Sequence, residues 1–184
     1  MNMSTLISAE NDELMTPENL YESGLEQHKI GALTAAEELY AQALLIDPDF
    51  LPALHMTSTL AFQRGDNAAA FKGLQRVINL GHQTAMVWWH YGCVLVAVGE
   101  FNEAVKAFST ALEKKPDDAD LLINLGTAAR QAGHSEIALM ALKKGSTLLK
   151  TPDAYYEYAL TLHQLGREAD ALAAYQQSLS IIPY

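Results

Sequence analysis

The chain has 184 residues, 49% apolar and 18% charged, with a net charge of −10. That composition supports a buried core and is too apolar for a disordered chain. The acidity, with no Lys/Arg stripe, argues against nucleic acid or anionic lipid as partners, and the lone Cys93 excludes an internal disulfide.

No stretch approaches the roughly 20 apolar residues of a membrane span. Met1–Ile7 has no basic segment of the secretory kind, and a cytoplasmic location is expected. Residues 1–16 read as an acidic tail or as a partial cap, with Leu6, Ile7, Leu14 and Met15 set among Glu10, Asp12 and Glu13. Thr16-Pro17 then opens a helix, with an N-cap hydroxyl followed by proline at the first helical position.

From there a period governs the chain. Gly31, Gly65, Gly99, Gly133 and Gly166 are separated by 34, 34, 34 and 33 residues. Each is followed by an alanine (Ala36, Ala70, Ala104, Ala138, Ala171) and then by a bulky residue (Tyr40, Leu74, Phe108, Leu142, Tyr175). Three repeats close on proline: Pro48, Pro116 and Pro183. The spacing predicts two helices per repeat: the glycine at the bend between them, the alanine where they approach, and the bulky residue one turn on. The proline ends the second helix. The repeats are expected at 17–50, 51–84, 85–118, 119–151 and 152–184. Within first helices, Trp88, Tyr91, Gly92 and Leu95 fall on one face, as do Leu122, Leu125, Gly126 and Ala129. Thr84, Asp118 and Thr151-Pro152 supply further helix starts. In the last helix, Leu172, Tyr175, Leu179 and Ile181 form an apolar edge. Self-association, a native chain that continues, and a tolerated exposed patch are three explanations for it.

This pattern resembles the tetratricopeptide repeat. Trp88, Gly92, Gly99, Ala104, Phe108, Ala111 and Pro116 match that family's consensus nearly in full, and the resemblance covers about residues 17–183. Departures are Ser23, Gln27, Thr57 and Ser58 in the first two repeats, His82 in place of the second closing proline, and Leu149 or Lys150 in place of the fourth. The resemblance implies an all-α, right-handed α-solenoid of five repeats whose first helices line a concave protein-binding groove. By that correspondence the groove residues are Tyr21, Leu25, His28, His55, Phe62, Trp89, Cys93, Val96, Ile123, Arg130, Tyr156 and His163. Trp88 is assigned to the core. The aromatic, weakly charged wall suits an apolar or amphipathic protein segment.

Two groove chemistries of the family have no counterpart. Tyr21, Leu25, His55 and Thr59 occupy the slots of the lysine–asparagine carboxylate clamp, and only Asn124 matches the asparagine ladder. The six histidines lack the spacing of a zinc site, and no phosphate-binding or nucleophile motif occurs, so no metal, cofactor or catalytic residue is assigned. The expectation is a non-enzymatic scaffold or assembly protein. The alternatives are a chaperone resembling the class II translocator chaperones of type III secretion, and the repeat region of a larger glycosyltransferase or sulfotransferase. Self-pairing through the C-terminal edge is a further expectation.

Overall fold

The computed structural model describes residues 16–181. The expectations for residues 1–15 and for Pro183 lie outside them. Ten helices and no strand occur among the described residues. They divide into two compact units that meet in sequence at His82 and Gln83.

The first unit holds α1 (Pro17–Lys29), α2 (Leu33–Ile46), α3 (Leu51–Gln63) and α4 (Asn67–Asn79). The second holds α5 (Ala85–Ala97), α6 (Phe101–Lys114), α7 (Ala119–Gln131), α8 (Ser135–Leu149), α9 (Pro152–Gln164) and α10 (Glu168–Ile181). Each odd helix pairs with the next, and within each unit the second helix of a pair also packs on the first helix of the following pair. Each unit is thus a stretch of all-α repeat solenoid, in which a pair buries its apolar face only with help from its neighbour.

Local chemistry sets the helix starts. Thr16, Thr84, Asp118 and Thr151 accept hydrogen bonds from the backbone N–H groups of Asn19, Val87, Leu121 and Ala154, at 3.2, 3.3, 3.1 and 3.3 Å. Asp66 caps α4 in the same way.

The five periodic glycines occupy equivalent bends. Their φ angles run from +69° to +83°, a region where any side chain is strained. The bond pattern at each repeats that at Gly31, whose N–H donates to the His28 carbonyl while Ala32 donates to Gln27. The second and fourth repeats, whose sequences have no closing proline, end their second helices with left-handed residues instead. Gly81 has φ +90° and Lys150 has φ +52°.

Volume is traded across each helix pair. A methyl group added at Gly92 would lie 2.5 Å from Cε1 of Phe108, at Gly24 2.4 Å from Cε1 of Tyr40, and at Gly126 2.4 Å from Cγ of Leu142. The second repeat reverses the trade. Ser58 stands at the glycine position, buried and donating to the Leu54 carbonyl at 2.6 Å. Gly73 makes the room, since a methyl there would meet the Ser58 hydroxyl at 2.1 Å.

Candidate functional site

The first helices carry the expected contact residues. In the first unit, packing claims most of them. The Tyr21 ring lies 5.8 Å from that of Tyr40 and 5.9 Å edge-on to Phe50, and burial raises its pKa. Leu25 is half-buried against the same core, and Phe62 is also half-buried. His28 is half-buried with Nδ1 enclosed. His55 is only 7% exposed, so its ring is not offered to an incoming chain.

The second unit presents more. Trp89 is half-buried and stacks on His90 with ring centres 5.1 Å apart. Beside it is a small pocket of about 110 Å³, lined by Ala85, Met86, Trp89 and Leu121 together with Lys115, Asp118 and Asp120. The turn of α5 that carries Met86 and Trp89 thus meets the start of α7, where Asp118 serves as cap. Met86 is 52% exposed. Trp88, on the adjacent face, makes an edge-on contact with Tyr91 at 6.1 Å and is half-buried as well.

The remaining positions divide by what holds them. Cys93 is half-buried, and desolvation pushes its thiol pKa up to about 11. Val96 is half-buried. Ile123 turns toward α8, where its Cδ1 fills the space a methyl at Gly145 would need. Arg130 is tied to Glu157 at 2.8 Å, in an ion pair whose side chains are 11% and 25% exposed. The Thr127 hydroxyl donates to the same carboxylate. Glu157 holds no assigned role in the sequence reading. Its part shows only when the fourth and fifth repeats are stacked, because acid and base stand 27 residues apart. Tyr156 is exposed, with its ring 5.7 Å from Tyr175. His163 is exposed and lies 3.0 Å from Glu168. Among the described residues no three His, Cys, Asp or Glu side chains converge as a metal site would require, and no helix is long and apolar enough to cross a membrane.

Comparison with known proteins places these features in a family. Tetratricopeptide-repeat family models match residues 92–142 and 152–184. The TPR repeat-containing protein YpiA of Bacillus subtilis is 26% identical over 116 residues, which are 63% of this chain and 27% of YpiA. The human protein O-mannosyl-transferase TMTC3 is 27% identical over 113 residues, 61% of this chain and 12% of TMTC3. The chain therefore spans well under a third of either relative. Among solved structures, YrrB, described as a TPR protein with an unusual peptide-binding site, superposes with a TM-score of 0.83 at 18% identity, over 99% of this chain and 93% of YrrB. That likeness concerns the fold. With glycine bends at equivalent positions, helix pairs stacked within each unit and the family's own sequence models matching, the chain is a tetratricopeptide-repeat protein.

Proposed function

We propose that this protein is a non-enzymatic scaffold that holds an apolar or amphipathic segment of a partner against its first helices, with the pocket beside Trp89 as the principal anchor. The observation that carries this reading is the combination of a half-buried indole, an exposed Met86 and a side-chain-sized recess on one first-helix surface. Aromatic anchors in recesses dominate the energetics of interfaces. Tyr156 adds exposed aromatic surface in the same unit, and Phe62 supplies a half-buried ring in the first. A peptide-binding relative of the same fold is consistent with this use. The single thiol fits a reducing, cytoplasmic setting.

The test is affinity capture with the native protein beside a Trp89→Ala, Phe62→Ala variant whose helicity is checked by circular dichroism. A partner retained by the native protein and lost by the folded variant supports the assignment. Equal recovery of every partner by both removes it.

Two further readings each have an observation behind them. Similarity to part of TMTC3 supports a role as the repeat region of a longer transferase, and the natural reading frame decides this. Leu172 and Leu179, 59% and 67% exposed on α10, support self-association. Light scattering of the native protein and a Leu172→Glu, Leu179→Glu variant tests it. Equal monomeric masses reject the idea.

A further inference from the structure

A second cleft lies in the seam between the fourth and fifth repeats, away from Trp89. Its volume is about 350 Å³, within the range of small-molecule sites, roughly 300–1,000 Å³. α8 contributes Lys143, α9 contributes Tyr155 and Tyr158, and α10 contributes Asp170 and Gln177, with Arg167 just before it. Leu162, Ala173 and Ala174 supply apolar lining.

The charges in this cleft are not balanced. Arg167 is committed to Asp170, both Nε and Nη2 donating to one carboxylate oxygen at 2.9 and 2.6 Å. Among the described residues Lys143 has no such carboxylate, whereas its neighbour Lys144 is paired with Asp117 at 2.7 Å. The cleft thus carries one uncompensated positive charge in a protein whose net charge is −10. The Tyr155 and Tyr158 hydroxyls and the Gln177 amide have no hydrogen-bond partner among the described residues. Burial raises the Tyr158 pKa, so its hydroxyl remains a donor at neutral pH.

We propose that this seam cleft binds a carboxylate attached to a compact apolar body, with Lys143 supplying the charge and Tyr155, Tyr158 and Gln177 the hydrogen bonds. One net positive charge matches a monoanion. A phosphate dianion would exceed it and meet the repulsion of the surrounding acidic protein. The half-buried rings of Tyr155 and Tyr158 and the exposed Ala173 methyl suit the apolar body. Neither Trp89 nor its pocket takes part, so this site and the protein-binding reading succeed or fail separately.

The experiment is a titration of the full ¹⁵N-labelled chain with N-acetyl-leucine, with N-acetyl-leucine amide and inorganic phosphate as parallel probes. The proposal expects saturable shifts at Lys143, Tyr155, Tyr158 and Gln177 with the acid, and none with the amide or with phosphate. Lys143→Gln weakens the acid by about 2- to 5-fold, the worth of an ion pair made by an exposed lysine. Tyr158→Phe weakens it less, and Trp89→Ala leaves it unchanged. A pentapeptide with a free C-terminus that competes at the site marks a chain terminus as the natural source, and one that fails to compete marks a small molecule. The absence of saturable shifts up to about 10 mM, equal shifts from acid and amide, or unchanged affinity in Lys143→Gln with a native spectrum overturns the proposal.

Discussion

Replacing Gly92 by alanine sets two opposing effects against each other. Gly92 is buried inside α5, and alanine in a helix interior is favoured over glycine by about 1 kcal/mol. The new methyl, however, would stand 2.5, 2.8 and 2.8 Å from Cε1, Cδ1 and Cζ of Phe108, where carbon atoms normally rest about 3.5–4.0 Å apart. The Phe108 ring is 1% exposed and cannot swing into solvent. Overpacking of this kind costs about 1–3 kcal/mol. The net expectation is a loss of about 1 kcal/mol, or about 2–4 °C in melting temperature for a chain of this size. Urea unfolding of the native protein, Gly92→Ala, Phe108→Leu and the double variant measures the effect. In the double variant the smaller leucine vacates the contested volume, so the two losses should fall short of additive by about 1 kcal/mol. A Gly92→Ala protein more stable than the native one would refute the packing argument, because helix propensity alone would then account for the result.

Three other outcomes are expected. Burial lowers the His90 pKa below its ordinary 6.5, so as pH falls through that value the unfolded chain takes up the proton first. His90's contribution is therefore intact above about pH 6.5 and declines toward the lower folded pKa, by no more than about 1.4 kcal/mol per pH unit. A His90→Gln variant loses that component, and identical pH profiles for the two proteins over this window count against it. With burial pushing its thiol up to about 11, Cys93 should react with iodoacetamide at pH 8 roughly 100-fold more slowly in the native protein than in urea, and equal rates would contradict its desolvation. Lys150→Gly should raise stability by about 1 kcal/mol, because the left-handed backbone there strains a side chain; a lowered urea midpoint would show that the lysine makes a contact outweighing the strain.

The repeat architecture was legible because its determinants are local and periodic. A glycine that must adopt positive φ recurs at Gly31, Gly65, Gly99, Gly133 and Gly166, and caps such as Thr16 and Thr151 act within three residues. The ends of α4 and α8 were less legible. His82 and Lys150 look like missing prolines, but the backbone solves the same problem with left-handed Gly81 and Lys150. The surface residues were the hardest. Family correspondence places His55, Ile123 and Arg130 on the contact face, yet their surroundings depend on partners elsewhere in the chain. His55 is buried, Ile123 leans on Gly145, and Arg130 is claimed by Glu157. No single-helix pattern contains those partners. The same holds for the seam cleft, whose lining is drawn from three helices.

The exchange of bulk between Gly92 and Phe108, reversed between Gly73 and Ser58, bears on how such a chain can change over time. Neither member of a couple can enlarge by itself without unfolding pressure, while a compensated swap leaves the bend, the caps and the next repeat untouched. The heritable unit of variation in this molecule is thus the helix pair rather than the residue. Its repeats can drift far apart in wording while each still fits the one beside it.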